Sequence, residues 1–165
     1  MGLVVIRPAE AFVTLAFSLV VHGLPVPQGS MKAMVRPHPV QRAPSGLCRG
    51  GNRHVAVTSD NPDLKAWRER VKLEATFALR RPMPALKAID GPCALYATFY
   101  LPRPKSAPKR IVYPATKPDV DKLARAVGDA LKDAGVVTED SRFVDLCVFK
   151  RFGDQPCVAI GVYVP

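Results

Sequence analysis

Asp119 and Asp121 stand two residues apart, and Glu139-Asp140 follows some twenty positions later. Carboxylates gathered at one point repel each other unless a cation joins them, and hard oxygen donors favour magnesium or manganese. With Asp119 and Asp121, one member of the Glu139-Asp140 pair could hold such an ion. The chain lacks the DxDxDG spacing of a calcium-binding helical hand. Its four cysteines form no CxxC pair, and with only three histidines no zinc-ligand spacing arises. Cys93 and Cys147 fall in apolar runs, so free, buried thiols in a reducing compartment are expected.

The elements that must position these acids can be read from the stretch Lys117 to Lys150, KPDVDKLARAVGDALKDAGVVTEDSRFVDLCVFK. Pro118 disfavours helix at Lys117. An extended Asp119-Val120-Asp121 puts both acidic side chains on one side. Helix is expected from about Lys122, with Leu123, Val127, Ala130, Leu131 and Ala134 as its apolar stripe and Gly135 as its stop. Asp121 is also placed to cap that helix. If the strand after Glu139-Asp140 packs against the helix start, its leading carboxylate returns toward Asp119 and Asp121.

Upstream, a strand is expected from Phe17 to Gly23, then the turn-rich GLPVPQGS. Gln28, Ser30 and Lys32 read either as phosphate donors or as a solvated strand connection, and His22 as a strand-surface residue. His54–Thr58 reads as a short strand. A helix follows, with Asn61 as N-cap, Pro62 at its first position, and Leu64, Trp67, Val71, Ala75 and Ala78 as its apolar face. That places Trp67 in the core rather than on a stacking surface. Lys65, Arg68, Arg70 and Lys72 on the other sides suit phosphate contacts and a solvated face equally. Cys93 to Leu101 reads as a central strand covered on both faces.

The charge is unevenly divided. Up to Pro118 the chain holds 18 Lys/Arg against 6 Asp/Glu, and beyond it 6 against 8. A basic body around an acidic patch suits a polyanion with cations placed at one point on it. The loop 102–117 carries Arg103, Lys105, Lys109, Arg110 and Lys117 with no acid, and its prolines keep it extended. It leads directly into the acids, so it is expected to lie over a charged ligand.

At 165 residues one domain is expected, an α+β fold with a small mixed β-sheet and two main helices. Residues 1–16 are expected as a loosely held extension, or the product of an upstream start, before a domain at 17–165. Arg7 and Glu10 interrupt the apolar N-terminus, which argues against a membrane anchor and for the cytoplasm.

The acidic stretch resembles the RusA family of Holliday-junction resolvases. The likeness rests on an acid-x-acid segment, a helix containing DAL, a glycine and an acidic pair, and it covers about residues 112–152. GLPVPQGS is similar to the family's proline-rich first loop. The resemblance implies a homodimeric, magnesium-dependent endonuclease that cuts four-way DNA junctions by paired nicks. It implies Asp119, Asp121 and Asp140 as catalytic carboxylates, with Arg125 at the place of a functional lysine. Lys122 stands where the family has asparagine. Lys150 matches a frequent family lysine and also reads as a strand-surface charge. Lys32, Arg103, Lys105, Lys109, Arg110, Lys117, Lys122 and Lys150 are the expected DNA contacts. A non-catalytic branched-DNA-binding protein, and a nuclease preferring flaps or forks, are the other readings.

Overall fold

The computed structural model describes residues 12–29, 31–36, 54–59, 61–80 and 87–165, of which 31–36 and 54–59 are described by backbone alone. Ser30, Arg42, Cys48, Arg49, Arg53 and Arg81 lie outside that set, as does the N-terminal stretch before residue 12. The elements are β1 (Thr14–His22), β2 (Met31–Arg36), β3 (His54–Ser59), α1 (Leu64–Leu79), β4 (Cys93–Leu101), α2 (Val120–Asp133), β5 (Phe143–Phe152) and β6 (Cys157–Val164).

Four strands form a mixed sheet in the order β1-β6-β4-β5, and β2 pairs with β3 in a separate antiparallel ribbon. β4 is the centre. It runs antiparallel to β6 and parallel to β5, and α2 forms part of the crossover that a parallel neighbour requires. Alternation along β4 turns Cys93, Leu95, Ala97, Phe99 and Leu101 to one face, all buried. Against them pack Leu123, Val127, Ala130 and Leu131 of α2, Trp67, Val71 and Ala75 of α1, and Val158, Ile160 and Val162 of β6. Trp67 is thus a core residue, as its spacing predicts. Tyr96, Thr98 and Tyr100 point to the opposite face, where they are half-buried.

Four local expectations need correction. β1 begins at Thr14 rather than Phe17, because Thr14 and Leu15 still find partners in Val164 and Tyr163 of β6. β2, expected only as part of a loop, is a strand paired along its length with β3. The N-cap of α1 is Asp63 rather than Asn61. The Asn61 amide instead accepts from the Asp63 N–H at 3.1 Å and donates to the Pro27 carbonyl at 3.2 Å, so it fixes a turn ahead of the helix and ties it to the proline-rich loop.

The fourth correction concerns the acids. Helix begins at Val120, not Lys122, and Asp119 rather than Asp121 is the extended N-cap, its carbonyl accepting the Leu123 N–H at 3.1 Å. Asp121 is thus helical and Asp119 extended, and the two line different cavities.

The other end of α2 follows its sequence closely. Gly135 adopts φ +79°, its N–H donates to the Lys132 carbonyl at 2.9 Å, and the Val136 N–H donates to the Leu131 carbonyl at 3.0 Å. This paired closure needs a left-handed residue just past the helix, which glycine supplies without a Cβ clash. Val136 and Val137 are buried next, and Val137 bridges in parallel to Ile89. A single 3-10 turn, Asp140–Arg142, then delivers the chain into β5.

Candidate active site

The first turns of α2, the 3-10 turn and the start of β5 enclose a groove of about 910 Å³. Asp121, Arg125 and Asp129 project into it from α2, Asp140 from the 3-10 turn, and Leu146 and Val148 from β5. Gln28 and Gly29 of the proline-rich loop form another wall. That loop is fastened to α2 by the Gln28 N–H, which donates to the Lys122 carbonyl at 3.0 Å. Two of the three expected acids, Asp121 and Asp140, therefore line one groove together with Arg125.

Asp119 lies elsewhere. Its carboxylate pairs with the Lys122 ammonium at 3.2 Å and faces a neighbouring cavity with Lys117, Asn61 and Asp63. Gln28, Gly29 and Lys122 line both cavities, which therefore adjoin one another. Among the described residues no three of Asp, Glu, His or Cys are grouped closely enough to hold a metal ion. Two carboxylates nevertheless suit magnesium, which usually keeps several waters and takes its remaining oxygens from substrate phosphate. The donor chemistry of Asp121 and Asp140 fits such an ion.

Asp129, an acid not expected at the site, also lines the groove. Burial pushes its carboxyl above the usual range; nearby Arg68 opposes this, while Asp140 and Asp133 add to it. Arg68 of α1 holds it at 3.4 Å and holds Asp133 at 2.8 Å. The signal was available, since Asp121, Arg125, Asp129 and Asp133 recur every four residues and share one side of the helix.

Glu139 turns away from the groove to the Lys132 ammonium at 2.9 Å, which raises the pKa of Lys132 through that hydrogen bond and charge. Asp90 accepts from the Thr138 hydroxyl at 2.7 Å and from Arg142 at 2.8 Å, and both interactions hold its carboxyl below the usual carboxylate range. This corner fixes the turn from which Asp140 projects.

The expected DNA contacts fall into three groups. Lys105, Lys109, Arg110 and Lys117 are exposed along the loop that precedes α2. Arg103 is also exposed, but its guanidinium lies 4.4 Å from the centroid of the Phe152 ring. Lys122 is half-buried against Asp119, and Lys150 is committed internally, its Nζ donating to the carbonyls of Thr116 and Pro118 at 2.8 Å each. Lys32 lies on β2 opposite Thr58, and its side chain is outside the described set. On α1, Arg68 serves the two aspartates, and Arg70 donates to the His22 carbonyl at 3.2 Å. Neither is an idle surface charge.

Cys93 is buried and donates to the Arg142 carbonyl, while Cys147 and Cys157 are half-buried, and all three are free thiols. No helix among the described residues is long and apolar enough to cross a membrane.

A family model described as endodeoxyribonuclease RusA matches residues 35–163. A curated relative named "Uncharacterized protein YqaN", from Bacillus subtilis (strain 168), is 39% identical over 54 residues. That match spans 33% of this chain and 37% of the relative.

Proposed function

The chain belongs to the RusA family, and from that premise we propose that it is a divalent-metal-dependent endodeoxyribonuclease acting on branched DNA, with the four-way junction as its substrate. The observation that carries this reading is the convergence of Asp121 and Asp140 in one groove with Arg125. A surface that only gripped phosphates would gain nothing from carboxylates there, because without a cation they repel DNA.

Asp121 and Asp140 are the residues that would hold the cation, magnesium or manganese by the hardness of their oxygens. What such an ion supplies when bound is Lewis acidity toward the phosphate and a water of lowered pKa. Arg125 fixes the phosphate from the same side, and its planar fork can meet two phosphate oxygens at once. Asp119 joins the site if its pairing with Lys122 is exchanged for one between Lys122 and DNA. The exposed basic loop supplies register along the backbone, and the walls from Gln28, Leu146 and Val148 narrow access to the groove.

Two scissile strands in one junction match a two-fold dimer with one groove per subunit. The homodimer and the paired nicks belong to this proposal, as do DNA recombination and repair in the cytoplasm as its setting. The pairing of Asp119 with Lys122 favours a second reading, a branched-DNA-binding protein whose acids only organise the start of α2.

Labelled four-way junction, fork and linear duplex of matched sequence, each with magnesium and with chelator, separate the two readings. Symmetric paired nicks confined to the junction with magnesium are expected. Tight junction binding without nicks in an otherwise active preparation favours the second reading. Cutting concentrated on the fork retains the nuclease and replaces its substrate.

A further inference from the structure

β5 is an edge strand of the four-stranded sheet, and successive residues on it face opposite ways. Lys150 lies in register with the buried Phe99 on the helix-bearing face, where it holds the Thr116 and Pro118 carbonyls. Phe149 and Arg151 lie in register with Thr98 and Tyr100 on the other face. Tyr113, from the basic loop, joins them there. The Arg151 guanidinium lies 5.0 Å from the centroid of the Tyr113 ring and 5.1 Å from that of Phe149. The loop therefore straddles the sheet edge, gripped on one face by Lys150 and on the other by this aromatic-cation-aromatic group.

The rings in this group are not core. Tyr113 is 59% exposed and Phe149 43% exposed, with Ile111 and Val112 also exposed beside Tyr113. Among the described residues no carboxylate pairs with Arg151. The surrounding segment 102–118 carries five basic residues and no acid, so its charge complements a polyanion and opposes a second copy of itself. Aromatic rings and guanidinium planes are the surfaces on which nucleobases stack. Within a continuous duplex the base faces are already covered by their neighbours. At a branch point that stacking is interrupted and a face becomes available.

We propose that Tyr113, steadied by Arg151 and Phe149, is a stacking platform for a nucleobase at the branch point of the DNA. This rests on the branched-DNA reading above and deepens it. The same loop then carries phosphate contacts at Lys109 and Arg110, a base contact at Tyr113, and the connection to the acidic groove. Branch recognition and placement of the scissile phosphate are coupled through about ten residues of chain.

The test uses a four-way junction with 2-aminopurine beside the branch point, a control junction with 2-aminopurine within an arm, and a matched duplex, all in chelator. Wild-type protein changes the branch-point fluorescence and leaves the arm signal unchanged. Tyr113→Ala removes that change and weakens junction binding about tenfold without altering duplex binding, while Tyr113→Phe preserves both. Equal loss on junction and duplex overturns the platform and makes Tyr113 a loop anchor. Conversion of a dimer to a monomer by Tyr113→Ala, read by sedimentation, overturns it in favour of an interface between copies. A wild-type branch-point signal that is silent or independent of Tyr113 also overturns it.

Cleavage is read separately with magnesium. Protein that gives the Tyr113-dependent signal but never cuts loses the nuclease reading and keeps the platform. Protein that cuts with a silent signal does the reverse.

Discussion

The two ends of α2 are both rich in charge and use it in opposite ways. Toward the C-terminal end, Asp129 and Asp133 are held by Arg68, Lys132 by Glu139, and the turn beyond by the bonds from Asp90 to Thr138 and Arg142. In the first turns, beside the pair between Asp119 and Lys122, Asp121 and Arg125 face the groove with Asp140, exposed and joined in no ion pair among the described residues. Paired charges tie the helix to its surroundings. Charges left facing an open groove are available to something else, and oxygen ligands beside a guanidinium suit a metal-bound phosphate.

The comparison is sharpened most by removing an acid from the groove. Asp121→Asn or Asp140→Asn is expected to lower magnesium-dependent junction cleavage at least about a hundredfold while junction affinity is kept, measured by single-turnover cleavage and by binding in chelator. Equal loss of binding and cleavage would move these acids into the structural set.

Lys150 offers an intermediate case, a cation whose partners are main-chain carbonyls. Lys150→Met is expected to lower cleavage about tenfold by loosening the segment that leads into Asp119, with little change in the salt dependence of binding. Lys109→Ala, by contrast, is expected to reduce the logarithmic salt slope by about one. The same slope change for Lys150→Met would break the distinction between tethered and free cations.

At the paired end the effects are on stability. Thr138 and Arg142 lower the folded-state pKa of Asp90, so the stability it contributes is present above the unfolded carboxylate pKa of about 3.9 and is lost as pH falls through the folded value. Asp90→Asn is expected to flatten that acid limb in urea melts taken across pH, leaving its slope near neutrality unchanged.

Asp129 has the opposite sign. Its folded-state pKa is raised, so stability falls as pH rises from the unfolded pKa through the folded one. Arg68→Ala removes the cation that opposes the shift, and is expected to steepen this fall. The cost at neutral pH should be under about 1 kcal/mol because the pair is partly solvated. An unchanged pH profile would detach Arg68 from Asp129.

Much of the frame is visible in the chain because local patterns and tertiary packing agree there. Alternation from Cys93 to Leu101, the period of Leu123, Val127, Ala130 and Leu131, and the stop at Gly135 all correspond to the structure. The capping residues are less legible, since Asn61 and Asp121 are as acceptable at N-caps as Asp63 and Asp119. The choice depends on contacts distant in sequence, such as that from Asn61 to Pro27.

The site shows the same limit. That Asp121 and Asp140 would line one groove follows from a strand returning beside a helix start. That Asp119 would turn to Lys122 depends on where helical φ/ψ begins, and a shift of two residues turns a side chain to a different cavity. Asp129 was hidden by an ordinary appearance, because an acid on a helix surface usually needs no explanation.

The unpaired acids facing the groove, Asp121 and Asp140, are expected to act on DNA, while acids with internal partners hold the fold. The most direct measurement compares wild type, Asp121→Asn and Asp133→Asn, each verified as folded, in one magnesium titration of single-turnover four-way-junction cleavage. Wild type and Asp133→Asn are expected to cut with similar rate and metal dependence, and Asp121→Asn to bind without cutting. Cleavage by Asp121→Asn at the wild-type rate, or its equal loss in both variants, would contradict the account.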